Sequence, residues 1–320
     1  MNRLLSFLKD WMLPLAIVLG ISLYLIYHFT PALYPIGPAM HVRASEGQRF
    51  LIAVLLFCQY VKTAPRDLRF HRWHFWALAF QILAFVACAA AALVVPQAGA
   101  RVLLECGMIC LICPTAAASG VITDRLGGDL AGNVTYLLLI NVVATFLIPA
   151  VVPLVHPSPD YSFWQSVGTI AGRIFPMLVL PCLLAWLIRF GFPRLQEKIL
   201  PLAGYSFYVW GVSLTIAMAL ATRALVLSDV PGAVVAGIML VSVAACLLQF
   251  LTGRLLGRDE RTRLTASQTL GQKNTGFLIW LGYSFLTPVT SIAGGLYAIW
   301  QNIINSWELY RKRHGAQRPE

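Results

Sequence analysis

The chain has 320 residues, 58% of them hydrophobic and 12% charged, with a net charge of +11. A soluble domain carries about 25% charged residues, so this composition, with its mean hydropathy of +0.73, leaves no room for a large soluble domain and points to an all-α polytopic membrane protein. The basic excess lies in short loops between apolar segments, as orientation signals do, and not on an aromatic-interleaved module of the kind that binds nucleic acid.

The N-terminus carries Arg3 and Lys9 and then an apolar run over 11–29. That run is longer than a signal-peptide core and no small-residue cleavage site follows, so it reads as a retained first span. Further apolar windows follow at 47–63, 74–96, 102–123, 130–154, 163–188, 200–222, 230–253, 264–284 and 286–307. Each is about the length that crosses a bilayer as a helix.

Basic residues alternate sharply between the loops. The N-terminus, the loops after the second, fourth, sixth and eighth windows, and the C-terminus with Arg311, Lys312, Arg313 and Arg318 hold eighteen Lys and Arg. The opposite loops hold four: Arg43, Arg49, Arg101 and Arg223. The positive-inside rule then places both termini in the cytoplasm and predicts an even number of spans, in a multi-pass protein of the cytoplasmic membrane. The only basic residues left after this count, Arg173 and Lys273, lie deep inside predicted spans.

Two windows are abnormal. The fourth breaks at "CPTAAASGVIT" (113–123) and the ninth at "TLGQKNTG" (269–276). Proline lacks a donor and clashes with the preceding turn. Irregular backbone at membrane depth is tolerated only where it is buried in protein or lines a wet cavity. Each break lies in the fourth of five windows, so the chain divides into two five-helix halves, 1–158 and 159–320. An odd number of spans puts the halves in opposite orientations. Matched interruptions of this kind point to a transporter site at an inverted-repeat interface.

In their order and spacing, four stretches resemble the bile acid:sodium symporter family: "FCQYVKTAPRDLRF" (57–70), "FWALAFQILAF" around Gln81, "PTAAASGVIT…GGDLAGNVT" (114–135) and "GRLLGRDERTRLTASQTLGQKNTGF" (253–277). The resemblance implies ten transmembrane helices in two inverted repeats. Spans one, two, six and seven would form a panel and the other six a core, with broken helices four and nine crossing at its centre. It also implies a cargo of organic anions, either bile acids or smaller carboxylates, taken up with sodium.

The chain departs from the family where sodium would bind. Thr269 stands for a glutamate, Lys273 for a glutamine, Ser119-Gly120 for a Ser-Asn pair, Asn133 for a serine and Leu137 for a threonine. Gln81 and Ser119 still match. A hard cation prefers several oxygens including a carboxylate, and an ammonium at contact distance repels it. The expected coupling ion is therefore H⁺ or none, rather than Na⁺.

Four readings of Lys273 follow. The ammonium can substitute for the missing cation, donating to carbonyls freed at the breaks beside Gln81, Thr269, Gln272, Ser119 and Asn133. It can titrate during the cycle, or act as counter-charge to an anionic substrate. It can also simply snorkel to the surface. Asn274, Thr275 and Thr115 are expected to face the same substrate, although Asn and Thr are also favoured as helix caps. Arg173 draws an anion into the cleft, pairs structurally with Glu105, or snorkels.

Cys106, Cys110 and Cys113 share a helix stripe at i, i+4 and i+7. Three thiolates can bind a soft metal or metalloid, and arsenite exporters of the same superfamily place a cysteine here. Cysteine is also an ordinary packing residue. Trp11, Trp73, Trp76, Trp164, Trp210, Trp300 and Trp307 read as interfacial belts, and Asp129 as a helix N-cap.

No enzyme motif, metal site, cofactor or ATP is implied. The expected function is secondary transport of a small or amphipathic organic anion by alternating access, with lipid and substrate as partners and no nucleic acid. The alternatives are a metalloid or soft-anion exporter and a non-transporting receptor on the same fold.

Overall fold

The computed structural model describes residues 2–315. Arg318 lies outside them, as do the side chains of Arg3, Lys9, Trp11 and Arg313. The described residues form fourteen α-helices joined by short turns, with no strand.

The first half contains α1 (Asn2–Phe29), α2 (Gly37–Lys62), α3 (Arg72–Val94), α4 (Ala98–Ile112), α5 (Ser119–Arg125) and α6 (Leu130–Val155). The second contains α7 (Phe163–Leu178), α8 (Leu180–Gly191), α9 (Pro193–Leu202), α10 (Ser206–Val226), α11 (Gly232–Leu256), α12 (Glu260–Gly271), α13 (Thr275–Phe285) and α14 (Ser291–Gly315). Five stretches are long and apolar enough to cross a membrane by length and composition: Arg72–Val94, Leu130–Val155, Phe163–Gly191, Pro193–Val226 and Gly232–Leu256. A sixth candidate is the pair Pro14–Phe29 and Pro31–Lys62, bent by 107°.

The remaining predicted spans fall short for visible reasons. The fourth and ninth are each cut into two short helices, 98–112 with 119–125 and 260–271 with 275–285. The last, α14, buries Gln301 and Asn305 on its inner side and carries a charged end. α7 runs into α8 at Val179 without a loop, Pro176 and Pro181 having removed donors there.

Packing sorts the helices. α1 lies on α10, and α2 lies on α7, α8 and α10. Separately, α4 packs on α3 and α11, α12 on α11, α5 on α6, and α14 on α11 and α13. α6 with α7, and α10 with α13 and α14, join the two sets. Very close approach is needed where α11 crosses α12. A Cβ added to Gly253 would lie 2.3 Å from the Ala266 carbonyl oxygen, and one added to Gly271 would meet the Phe250 ring at 2.3 Å. Elsewhere large apolar side chains face outward in quantity, among them Phe146, Leu187, Leu240 and Leu251. A helix surface apolar on both sides is what a lipid environment requires.

The tryptophan belt is narrower than expected. Trp76, Trp164 and Trp307 are exposed, but Trp73 is buried and stacks on Tyr136 at 5.5 Å between centroids. Trp300 turns inward and donates to Ser242 Oγ at 3.0 Å.

Candidate functional site: a paired helix interruption

α4 stops at Ile112 because Pro114 cannot continue the ladder, and α12 stops at Gly271, ahead of Gln272 in extended conformation. Both interruptions are buried, so their freed backbone groups need partners. They find them in each other. Thr115 and Lys273 form an isolated antiparallel bridge. Ala116 N–H donates to the Gln272 carbonyl at 3.0 Å, and Asn274 N–H to the Pro114 carbonyl at 2.8 Å. Thr115 Oγ1 donates to the Thr269 carbonyl at 2.8 Å.

Neighbouring helices supply the rest. Gln301 of α14 accepts from Lys273 N–H at 2.8 Å, and its amide nitrogen reaches the Lys273 carbonyl at 3.4 Å. Tyr297 donates to the Gly271 carbonyl at 2.8 Å and is itself held by Gln249 at 3.0 Å. From α3, Gln81 donates to the Leu111 carbonyl at 2.5 Å and accepts from Tyr136. A second polar cluster lies beside the break. Ser119 donates to Asn133 Oδ1 at 3.1 Å, and Asn133 Nδ2 donates to Thr269 Oγ1 at 2.7 Å. Gln272 donates to Gln268, whose amide donates to Glu308 at 2.5 Å.

The structure therefore gathers Gln81, Thr115, Ser119, Asn133, Thr269, Gln272, Lys273, Asn274 and Thr275 at one place. Thr115, Ser119, Asn133, Thr269 and Gln81 are fully buried. Arg173 does not join them. It is exposed on α7 and lies over the Phe285 ring at 5.8 Å. Nor does it pair with Glu105, which faces His156 at 3.7 Å and Thr287 at 3.4 Å.

Lys273 is 0% exposed. It does not snorkel: the side chain is buried to its Nζ among the packed segments of the break. Its Nζ is buried and hydrogen-bonds to nothing. The expected donation to freed carbonyls is absent; main-chain N–H groups, Thr115, Gln81 and Tyr297 donate to several of those carbonyls instead. The ammonium instead lies within electrostatic reach of the thiols of Cys113, Cys110 and Cys246.

Asn274 serves as a cap here: its Oδ1 accepts from Phe277 N–H at 3.1 Å. Asp129 occupies the N-cap position of α6 but makes no side-chain cap, because its carboxylate accepts from His71 at 3.0 Å.

The cysteine stripe is tighter than its i, i+4, i+7 description: Cys110 and Cys113 also have CxxC spacing, and Cys246 from α11 joins them near Lys273. Among the described residues no group of three or more His, Cys, Asp or Glu is placed to hold a metal ion. Sequence reasoning missed Gln301, Tyr297, Gln249, Tyr136 and Cys246. The available signal was a polar residue inside an apolar window, which Gln249 and Gln301 both are.

Compared with known proteins, the chain matches no family model and no curated protein.

Proposed function

We propose that this protein is a secondary transporter of a small or amphipathic organic anion, working by alternating access, with the fixed charge of Lys273 in place of a coupling cation. One observation carries the reading: a fully buried lysine amine with no hydrogen-bond partner, at the meeting of two interrupted helices. Held there as an ammonium, an unpaired ion costs several kcal/mol, a cost that an anionic partner offsets. An anion arriving at the break is the partner it lacks. Among the described residues no carboxylate hydrogen-bonds to the break segments themselves, and a hard cation prefers a ligand set that includes one.

The finer architecture belongs to the same proposal. The resemblance to the bile acid:sodium symporter family suggests ten spans in two inverted repeats, 1–158 and 159–320. The separate packing of α1, α2, α7, α8 and α10 from α3, α4, α11 and α12 supports a panel and a core. The paired breaks support a crossover at the core centre. On the charge asymmetry, both termini face the cytoplasm of a cytoplasmic-membrane protein. H⁺, or no ion, is the coupling partner, and the protein does no covalent chemistry. A metalloid exporter is less favoured, because the thiols near Lys273 are not arranged as a metal site.

The test is the thermal stability of purified protein against a panel of organic anions, in Na⁺ and in K⁺, for wild type and Lys273→Met. A ligand specific to the folded state raises stability with the logarithm of its concentration. The expected outcome is stabilisation of wild type by at least one anion, equally in both cations. Lys273→Met should lose that response, while melting at or above the wild-type temperature without ligand, because it removes an unpaired charge. Clear stabilisation of wild type by Na⁺ would show an ordinary sodium site elsewhere and sink the proposal.

A further inference from the structure

Away from the crossover, a cavity of about 700 Å³ opens between the segment leading into α3 and the turn from α11 to α12. Its lining pairs two guanidinium groups, Arg72 and Arg258, with Phe70, Phe75, Trp76 and Leu256. We propose that this cleft binds the phosphodiester headgroup of an anionic phospholipid, with the acyl chains laid along α3 and α11.

Charge supports the headgroup. Arg72 and Arg258 are both exposed, and among the described residues neither side chain has an ion-pair or hydrogen-bond partner. The acids close by are already engaged. Asp259, which also lines the cleft, accepts from Thr262 N–H at 2.9 Å as the cap of α12, and Asp129 holds His71. Arg254, one turn back on α11, is paired with Glu260 at 3.3 Å and Glu308 at 3.7 Å. Two guanidinium groups with no ion pair of their own beside a cleft offer the planar donors that a phosphate accepts bidentately.

The walls favour lipid over a soluble anion. Phe75, Trp76 and Leu83 project from α3 at 66%, 59% and 69% exposure, and Leu251 and Leu255 from α11 at 59% and 84%. Their spacings, i, i+7 and i, i+8 on α3 and i, i+4 on α11, keep each set on one helix face. These apolar stripes lead away from the arginines along two helices that meet the length and hydropathy of spans. A free phosphate would have no use for them. Basic pockets between spans on the positive side of a membrane protein are the usual seat of anionic headgroups.

The experiment titrates delipidated protein in detergent with phosphatidylglycerol, phosphatidylcholine or soluble glycerol phosphate, following the melting temperature. Bound lipids that survive activation are counted by native mass spectrometry. The variants are Arg72→Gln/Arg258→Gln, the charge-retaining Arg72→Lys/Arg258→Lys, and Arg194→Gln/Lys198→Gln as an equal loss of charge elsewhere. Phosphatidylglycerol should raise the melting temperature of wild type and of the Arg194/Lys198 control by several degrees, saturably, with one or two lipids retained. The Arg72/Arg258→Gln protein should lose at least three quarters of that shift, and the lysine version should keep part of it. Equal stabilisation of the glutamine variant would overturn the proposal. So would a matching response to phosphatidylcholine, meaning annular contact only, or to glycerol phosphate alone, meaning an anion site without lipid. Should the glutamine variant not fold, the wild-type lipid counts decide, since equal retention of the two lipids also overturns it.

Discussion

Gln301 holds Lys273 through the main chain and leaves its side chain alone. Its carbonyl takes the Lys273 N–H at 2.8 Å, in an interior where no other acceptor is offered to that group. Gln301→Ala should cost about 1–3 kcal/mol, the usual penalty for leaving a buried donor unpaired, read as a lowered melting temperature. Gln301→Glu should keep the acceptor and add a charge beside the ammonium, so it should abolish anion-dependent stabilisation while preserving the fold. The sequence showed Lys273 as an anomaly because a charge inside an apolar window is visible without any structure. Gln301 was hidden for the opposite reason. One amide in a window that also holds Asn302 and Asn305, with Glu308 just past its end, looks like an ordinary amphipathic end, and its partner is 28 residues away. The orientation of the lysine was hidden too. It depends on which carbonyls were already taken, and that is a property of packed neighbours. With Cys110 in the last turn of α4 and Cys113 at its C-cap, the Lys273 amine lies near a helix C-terminus, which carries about half a negative charge. This partial charge offsets part of the cost of burial without any carboxylate.

Helix ends were the most legible elements. Pro114 and the Gly271–Gly276 stretch break their helices within a few residues of where the sequence places the breaks, because both act on the local backbone. Close helix approach was less legible, since a glycine in a span can be needed or idle. Gly253→Ala puts a methyl group against the Ala266 backbone, whereas a Cβ on Gly172 meets nothing within 4 Å. Gly253→Ala should therefore separate α11 from α12 and sharply lower the yield of folded protein, and Gly172→Ala should be silent in size-exclusion chromatography. Asp259 starts α12 with a cap that the sequence pattern DERT allows. Hydrogen bonds from Thr262 hold its carboxyl below the usual carboxylate range, outside the spans. Its contribution is thus fully present above the unfolded carboxyl value, near 3.9, and is lost as pH falls through the lower folded value. Melting curves from pH 6 down to 3 should show Asp259→Asn converging on wild type at the acid end. A constant gap would assign the residue a purely steric role.

At the scale of the molecule, composition alone established an all-α chain rich in apolar helices, because lipid exposure demands it everywhere at once. The number of crossings was harder to read. Five stretches pass on length and hydropathy, and a bent pair makes a sixth candidate. The windows that fail are the ones carrying the polar interior, so the features that mark the site also weaken its signature as a span. Topology can be checked directly. Single cysteines introduced at Arg66 and Ser158 into a protein whose seven native thiols are replaced should react from opposite sides of the membrane. Ser158→Cys should label with an impermeant maleimide in intact cells, and Arg66→Cys only after permeabilisation. The reverse order, or labelling of both from outside, would refute the orientation.

The bridge between Thr115 and Lys273 has a mechanical consequence. Its two flanking hydrogen bonds, at 3.0 and 2.8 Å, are the crosspieces that tie α4–α5 to α12–α13. Sliding one broken helix against the other would tear both in a dry interior where no water replaces them. The two helices behave as one beam. Whatever displacement accompanies a working cycle must take place at seams between apolar side chains, such as α6 against α7, where among the described residues contacts can be exchanged without breaking a directional bond.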